Sequence, residues 1–253
     1  MSNFFKTLAL SLALVSSVSI ADELPQQADE LQQRLAEADH YRMQEGHAKV
    51  TTEVVQYESE QEKKRHLYNV YLRPQRESLV VFKAASEAGQ KLLMLGDNYW
   101  LLMPNSRRPL RITPMQKLLG EASVGDVSTL TWSEDYDGEI GELSDWQGYS
   151  ARHLMLNAQT KGASYQRIDL WVDEDTNFPL KADMYLKSGK LAKRAYFEPG
   201  ERDGQTVVST MTLEDAIQHN NTTVIYYQQV EARTLPDKYY NPAYLSRQDV
   251  SAL

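Results

Sequence analysis

Few residues of this sequence have the types and spacing that enzymatic chemistry needs. Ser123 lies in Gly120-Glu-Ala-Ser-Val-Gly125, one residue out of register for the G-x-S-x-G turn that presents a catalytic serine. The sequence has no H-E-x-x-H zinc motif, no P-loop and no dinucleotide fingerprint. Its five histidines are scattered from His40 to His219, and none stands in a local motif with a nucleophile. We therefore predict a protein without catalytic residues, while noting that a triad assembled from distant residues leaves no local motif.

The potential metal ligands are equally sparse. His40 and His47 lie close together in sequence, but a metal site needs a third ligand nearby and none is evident. Asp135, Asp137 and Glu139 resemble a calcium loop superficially, but Gly138 is misplaced for that motif, so we interpret this stretch as a turn. The sequence predicts no metal site and no cofactor.

Basic residues gather in one stretch of an otherwise acidic protein. The formal net charge is −8, which argues against nucleic acid as a partner. Arg107, Arg108 and Arg111 nevertheless stand close together, with Lys117 just beyond them. This stretch is either a solvated loop or a contact for an anionic head group or a protein partner, and the three arginines are the candidates for that contact.

The amino terminus has the pattern of a secretory signal peptide. Lys6 precedes the apolar run Leu8–Val15, and small residues at Ser19 and Ala21 suit cleavage after Ala21. The sequence contains no cysteine, so it has neither a disulfide nor a lipidation site of the bacterial lipoprotein kind. We expect one domain over residues 22–253, a periplasmic location and a monomer.

The elements that must position any site are mostly strands. A helix over residues 26–43 is predicted by Ala28, Leu31, Leu35 and Ala38 at helical spacing. Alternating or apolar runs predict strands near 47–57, 65–73, 77–84, 91–95, 99–103, 137–143, 149–158, 206–214 and 223–233. The final stretch, Leu235–Leu253, is predicted to be mostly irregular.

Two stretches depart from simple alternation. The hairpin over residues 91–103 is apolar on both faces, so it should be covered on both sides or line a cavity. The stretch 104–136 breaks the strand pattern. Thr113-Pro-Met-Gln116 is a capping box that predicts a short helix ending at Gly120, and Asp126 is the predicted cap of a second one, Val127–Trp132. We interpret this stretch as a helical lid, with Met115, Leu118 and Leu119 as its apolar contacts.

The central stretch Tyr165–Pro199 is predicted to form three antiparallel strands joined by tight turns. In the first strand Ile168, Leu170 and Val172 alternate with polar or aromatic residues, and in the second Leu180, Met184 and Leu186 do the same. Since successive side chains on a strand point to opposite faces, these six residues share one apolar face.

Three stretches of the sequence resemble the periplasmic outer-membrane lipoprotein carriers and sorting proteins, the LolA/LolB-like family. They are Tyr99–Ile112 (YWLLMPNSRRPLRI), Ile168–Phe197 with its Leu-Trp-Val-Asp and Pro-Leu-Lys-Ala elements, and Leu235–Arg247 (LPDKYYNPAYLSR). The similarity extends over most of residues 22–253 and is closest to the sorting branch. It departs from that branch at Met115-Gln-Lys-Leu-Leu-Gly-Glu-Ala122, where a Ser-Phe-rich segment is expected.

The resemblance implies a mainly β fold: an incomplete antiparallel β-barrel of about eleven strands with an N-terminal helix and a short helical lid. It further implies a non-enzymatic carrier or chaperone that encloses the acyl chains of a lipid or lipoprotein and works with an inner-membrane transporter. The alternative is an accessory adaptor of an inner-membrane exporter, with a cavity filled by side chains; a hydrolase is a third. The candidates for the cavity lining are Leu93, Leu95, Trp100, Leu102, Ile168, Leu170, Val172, Leu180, Met184 and Leu186.

Overall fold

The computed structural model describes residues 20–42, 46–127, 131–216, 221–250 and 252–253, with side chains from Gln26 onward. The predicted signal peptide, Met1–Ala21, lies outside these residues except for its last two positions. Within the described ranges, no helix is both long and apolar enough to cross a membrane.

Strands make up most of the described chain. The first meander contains β1 (Ala48–Glu58), β2 (Gln61–Arg73), β3 (Glu77–Phe82), β4 (Lys91–Leu95), β5 (Asn98–Leu102) and β6 (Leu110–Ile112). A small hairpin follows, β7 (Lys117–Leu119) and β8 (Ala122–Ser123). The second meander contains β9 (Tyr136–Trp146), β10 (Tyr149–Ala158), β11 (Arg167–Asp173), β12 (Pro179–Tyr185), β13 (Leu191–Arg202), β14 (Gln205–Asp215) and β15 (Asn221–Ala232).

The two meanders join into one sheet of thirteen strands. Every neighbouring pair is antiparallel, and β1 pairs with β15 so that the order runs β6-β5-β4-β3-β2-β1-β15-β14-β13-β12-β11-β10-β9. The end strands β6 and β9 do not pair with each other, so the sheet is not closed into a barrel. The predicted fold class is confirmed, and the sheet has two more strands than the eleven that the resemblance implied.

Helices are short apart from the first. They are α1 (Ile20–His40), α2 (Val124–Val127), α3 (Trp132–Asp135) and α4 (Pro242–Leu245), with 3₁₀ turns at Ala85–Glu87 and Asp237–Tyr240. Helix α1 starts before the predicted residue 26 and ends before the predicted residue 43. Its side chains Leu31, Leu35 and Ala38 are fully buried against the sheet, as their helical spacing predicts.

The sheet has an apolar layer on each face. We call the inner face the one covered by α1, and it carries the larger cluster of buried side chains. The outer face carries a smaller cluster over β2–β5, where Leu235, Tyr240, Leu245 and Val250 of the C-terminal stretch pack against the strands. The hairpin β4–β5 is therefore covered on both sides, and this explains why its sequence is apolar throughout rather than alternating.

Candidate binding site

The floor of the candidate site is the inner face of the second meander. Leu170 and Val172 are fully buried, and Ile168, Leu180 and Met184 are at most 6% exposed. All five belong to the inner cluster, which places them on the one face that their alternation indicates. Leu186, the sixth predicted residue of this face, lies just beyond the end of β12 and is half-buried at the rim.

Four of the predicted cavity residues lie on the other face. Leu93 and Leu102 belong to the outer cluster, with Leu95 and Trp100 packed beside them under the C-terminal stretch. The prediction that they line the same cavity as the second meander is therefore wrong. In a hairpin that is apolar on both faces, alternation divides the side chains into two sets without indicating which set faces inward. Leu92, Met94 and Tyr99 are the side chains of this hairpin that reach the inner cluster.

Residues 113–127 and 131–135, which we call the lid, cover the inner face. Their first part is not the predicted helix but the hairpin β7–β8, and it turns at Gly120, which has a φ of +54°. The capping-box sequence forms only a turn, in which the amide of Gln116 donates to the carbonyl of Thr113 at 3.1 Å. A helix between this turn and Gly120 would have been about one turn long, too short to be stable on its own.

The second predicted helix also differs in the structure. The described residues on either side of 128–130 form α2 and α3, and Asp126 lies inside α2 rather than at a cap. The buried apolar side chains of the lid that join the inner cluster are Leu119, Ala122, Val124, Val127 and Trp132, while Met115 and Leu118 are half-buried against it. The apolar character predicted for the lid is thus present, carried by a hairpin and two single-turn helices.

With the lid in place, little space remains beneath it. A cavity of about 30 Å³ lies between Trp132 and Tyr136 on one side and Ile168, Met184 and Phe197 on the other. Drug-sized ligands occupy pockets of roughly 300–1,000 Å³. The inner face beneath Trp132 is therefore closely packed, and the larger spaces lie at its margins: about 390 Å³ between Leu72, Met94 and Thr131, and about 260 Å³ beside Phe178 and Leu180.

A buried carboxylate of α1 holds one end of the lid. Asp39 accepts hydrogen bonds from the backbone amides of Trp132 (2.9 Å) and Ser133 (2.8 Å) and from the Ser133 hydroxyl (2.8 Å). These amides open α3, so Asp39 supplies the cap that Thr131 does not provide with its own side chain. Burial raises the pKa of Asp39, and the nearby Arg42 charge opposes that shift. The Arg42 guanidinium stacks over the Trp132 ring at 3.9 Å.

A second buried network holds the middle of the lid. Asp126 of α2 pairs with Lys193 of β13 at 2.8 Å, and the same carboxylate oxygen accepts from the amide and hydroxyl of Ser123 at 2.8 and 2.6 Å. Its other oxygen accepts from the Tyr165 hydroxyl at 3.0 Å. Burial acts to raise the pKa of Asp126, but the charge and hydrogen bond of Lys193 outweigh it and hold the pKa below its ordinary value. Ser123 is thus bound to a carboxylate of the lid.

A third carboxylate fixes the end of the lid. Asp135 is fully buried, pairs with Arg76 at 2.6 Å, and accepts a hydrogen bond from the Thr160 hydroxyl. Burial raises the pKa of Asp135, while the Thr160 hydrogen bond and the Arg76 charge oppose the shift. Arg76 reaches it from the β2–β3 turn, where Gln75 and Arg76 have positive φ angles of 68° and 55°. Such conformations are strained for residues other than glycine and persist where surrounding contacts fix them.

The predicted basic cluster lies outside the lid site. Arg107 and Arg108 are exposed, and Arg111 donates to Asn98 at 2.6 Å while stacking over Trp100 at 4.7 Å. Arg107 also lines a groove of about 1000 Å³, together with Arg247 and Asp249 of the C-terminal stretch. Among the residues that the structure describes, no group of three His, Cys, Asp or Glu side chains is arranged to bind a metal ion.

Sequence reasoning missed the buried charges. Asp39 follows Ala38 on the apolar stripe of α1, and Lys193 occupies the same strand parity as the buried Ala195 and Phe197. In both cases the sequence places a charged residue at a position whose helical or strand spacing predicts burial. Because a buried charge needs a partner, this placement could have indicated a buried ion pair or hydrogen-bond network.

Comparisons with other proteins find one matching family and several solved structures with a similar fold. A protein-family profile described as "Uncharacterized protein" matches residues 74–247. No curated protein matches the sequence. A LolA superfamily protein from Nitrosomonas europaea is similar in structure, with a TM-score of 0.77, 26% identity and coverage of 83% of this chain and 97% of that one.

Two further solved structures share the fold at lower identity. A protein domain from Vibrio parahaemolyticus, named for outer membrane lipoprotein sorting, matches with a TM-score of 0.70 at 19% identity, covering 87% of this chain and all of that one (100%). A DUF1329 family protein from Desulfovibrio piger matches with a TM-score of 0.71 at 20% identity, covering 87% of this chain and 99% of that one.

Proposed function

The chain belongs to the uncharacterized family matched over residues 74–247 and has the LolA-like fold, and from this we propose that it is a carrier for acyl chains. The ligand is a lipid, or the lipid portion of a lipoprotein, and it binds to the inner face beneath the lid. The protein performs no chemistry on it. The name of the Vibrio parahaemolyticus relative, which refers to lipoprotein sorting, supports the same class of function.

The observation that carries this proposal is how the inner face is covered. The end strands of the sheet do not close over it; the lid does, and the lid residues that the structure describes form the short helical segments α2 and α3 and the two-strand hairpin β7–β8. Elements of this length are not stable alone, so they keep their shape only while packed on the apolar floor. A ligand that offers an apolar surface of its own can take the place of Leu119, Val124 and Trp132 on that floor.

The energetic balance is compatible with a carrier. Burying an acyl chain of about 16 carbons releases on the order of 10 kcal/mol, at roughly 0.8 kcal/mol per CH₂ group. Against this stand the apolar contacts of the lid and its three buried carboxylate contacts, which must be broken first. These broken contacts reduce the net gain, and we therefore expect extraction from a membrane to need a partner such as an inner-membrane transporter.

Location and domain organisation belong to the same proposal. A signal peptide over residues 1–21 would deliver a single domain, residues 22–253, to the periplasm, where carriers of this kind exchange lipids between membranes. The exposed arginines Arg107 and Arg108 would then meet an anionic head group or a protein partner outside the lid site.

A second function is favoured by one observation, the close packing of side chains beneath the lid at Trp132. An accessory adaptor of an inner-membrane exporter needs no lipid cavity, and the 30 Å³ beneath the lid suits a packed core. The groove of about 1000 Å³ beside Arg107 and Arg247 would then be its contact surface. The two functions differ in one respect: only the carrier exchanges its lid contacts for those of a ligand.

Native mass spectrometry of the protein purified from its own cell envelope tests the proposal. We expect a population heavier than the polypeptide by the mass of one lipid, and loss of that mass on delipidation. The delipidated protein should then take up a fluorescent fatty acid. A polypeptide that carries no lipid from the envelope and binds no fatty acid afterwards would leave the adaptor as the better account.

A further inference from the structure

Lys193 is a buried cation in the apolar floor of the lid site. Its side chain is 4% exposed, and it precedes Ala195 and Phe197 on the inner face of β13. Strand alternation places these three side chains in one line, with Lys193 nearest the start of the strand. The floor is therefore apolar along β13 with a single positive charge at one end.

The same arrangement extends across the sheet. Lys193 is the direct cross-strand partner of Met184, Met184 is the partner of Ile168, and Ile168 is the partner of Leu156. Neighbouring strands lie about 4.8 Å apart, so this row places a cation at one end of an apolar track of about 14 Å. A positive charge followed by an apolar track is complementary to an amphiphile with a negative head and one chain.

The groups that compensate Lys193 belong to the lid. Its ammonium pairs with the Asp126 carboxylate at 2.8 Å and also donates to the backbone carbonyl of Glu121. When the lid leaves the floor, both partners leave with it. Asp215 of β14 is the cross-strand neighbour of Lys193 on the other side and stays with the sheet, half-buried at the rim.

The ion pair stands between two spaces. Asp126 lines the cavity of about 30 Å³ beneath the lid. Lys193 and Ser123 line a groove of about 220 Å³ outside it, whose other walls include Met115 and Leu191. An amphiphile whose chain enters the cavity from this groove therefore has its head group beside Lys193.

We propose that Lys193 anchors the head group of the ligand, and that the ligand is an acyl amphiphile with an anionic head, whose charge replaces the Asp126 carboxylate as the lid opens. This inference rests on the proposed carrier function. A buried charge that loses its partner is strongly unfavourable, so opening the lid around a neutral lipid costs Lys193 its Asp126 ion pair and leaves Asp215, at the rim of the sheet, as the neighbouring carboxylate. An anionic head group restores the ion pair in the open state. The lid carboxylate thus acts as an internal competitor for Lys193, and Lys193 selects for ligands with the same charge as that carboxylate.

The test compares ligands that differ only in the head group. Binding of palmitate, hexadecyl phosphate and hexadecanol is measured by displacement of a fluorescent fatty alcohol from the delipidated protein. We expect palmitate to bind about tenfold or more tightly than hexadecanol, since the buried charge pair forms only with the anion. Lys193→Met should remove that preference, so that palmitate and hexadecanol bind within about twofold of each other. Lys187→Met, the same substitution at an exposed position of the β12–β13 turn, should preserve it.

The outcomes separate the anchor from the carrier function. Binding of none of the three ligands would contradict the carrier function itself. Equal affinity of wild type for palmitate and hexadecanol would leave the carrier intact and overturn the anchor. If hexadecyl phosphate and palmitate bind equally well, the site recognises negative charge in general. If only one of them binds tightly, the site recognises that head group, phosphate or carboxylate.

A second variant decides the question if Lys193→Met does not fold, as judged by circular dichroism. Asp126→Asn keeps the shape of the lid residue and removes its competing charge. We expect both palmitate and hexadecanol to bind this variant more tightly than wild type, with the gap between them preserved, because the closed state that loses its ion pair is common to both ligands. A palmitate affinity that is unchanged or weaker, in a folded Asp126→Asn protein, would overturn the competition between lid and ligand.

Discussion

The Asp39 carboxylate of helix α1 accepts a hydrogen bond of 2.9 Å from the backbone amide of Trp132, the first residue of helix α3. The two residues are 93 positions apart in sequence. The contact joins helix α1, which packs on the sheet, to the lid, which the proposed function requires to move. The same carboxylate also accepts from the amide and the hydroxyl of Ser133. One side chain therefore determines whether the beginning of α3 stays attached to α1.

Replacing this carboxylate should loosen the lid before it unfolds the protein. Asp39→Ala removes the acceptor of three hydrogen bonds, and loss of a capping side chain costs about 1–2 kcal/mol. We expect faster hydrogen exchange at the amides of Trp132 and Ser133, measured by mass spectrometry of a peptide spanning 131–135. Asp29→Ala, at an exposed position of the same helix, is the matched control. Equal exchange in the two variants would show that Asp39 does not hold the lid.

The Asp126–Lys193 pair predicts a specific loss of stability in acid. Because the pKa of Asp126 in the folded protein lies below its ordinary value of 3.8, the folded state binds this proton less tightly than the unfolded state does. The stabilisation is therefore fully present above about pH 4 to 5 and disappears as the pH falls through the folded pKa. Asp39 and Asp135 have raised pKa values and act with the opposite sign, so their protonation favours the folded state.

Urea unfolding at several pH values distinguishes these contributions. At pH 7, Asp126→Asn should lose about 3–5 kcal/mol of unfolding free energy, because it leaves Lys193 buried without its partner. The variant should then lose less stability between pH 5 and pH 3 than wild type does. The double variant Asp126→Leu with Lys193→Met should recover much of the loss, since apolar groups replace the pair. A parallel pH dependence of wild type and Asp126→Asn would contradict this assignment.

A charge on the inner floor should abolish ligand binding. Met184→Glu places a carboxylate in the apolar row beside Lys193, where an acyl chain would have to desolvate it. We expect no uptake of a fluorescent fatty acid, whereas Lys187→Glu, exposed on the adjoining turn, should bind like wild type. Circular dichroism identifies the case in which Met184→Glu is simply unfolded. Retained uptake by a folded Met184→Glu protein would place the ligand elsewhere.

The same Leu→Ala substitution should affect fatty acid binding on the inner face but not on the outer face. Leu170 lies on the inner face and Leu102 on the outer face, and both are fully buried. Each Leu→Ala change should cost about 2–5 kcal/mol of stability. Only Leu170→Ala should alter fatty acid affinity, by roughly fivefold for about 1 kcal/mol of lost contact. An equal effect of Leu102→Ala on affinity would mean that the outer cluster takes part in binding.

The sheet could be predicted from sequence because each strand carries its own local signal. Alternating side chains and turn residues located the strands of both meanders except β6, which lies in the stretch 104–136 that was predicted to break the strand pattern. The apolar hairpin over 91–103 correctly indicated cover on both sides. What alternation cannot tell is which face turns inward. The inward face is determined by distant segments that pack on the sheet: α1 covers one face, and the stretch around Leu245 covers the other. Leu93 and Leu102 face the stretch around Leu245, so they lie outside the candidate site.

The lid was harder to predict because nothing local fixes its shape. Thr113-Pro-Met-Gln116 has the residues of a helix start, but Gly120 follows too closely, and the segment instead pairs with Ala122–Ser123. Contacts with Thr223 of β15 fix the turn of this hairpin. A Cβ atom on Gly120 would lie 2.3 Å from the Thr223 hydroxyl, and that hydroxyl also accepts a hydrogen bond from the Glu121 amide. Tertiary contact with β15 therefore overrides the local propensity.

The central claim is that the lid and an acyl chain compete for the same floor, and a distance across the lid tests it most directly. The chain has no cysteine, so spin labels at Lys117→Cys on the lid and Lys187→Cys on the β12–β13 turn report without background. Both side chains are exposed, so labelling should not disturb the core. In double electron–electron resonance, we predict one short distance for the delipidated protein and a longer, broader distribution after palmitate is added. A single distribution that stays unchanged at saturating palmitate would make the lid a fixed part of the core and contradict the carrier function.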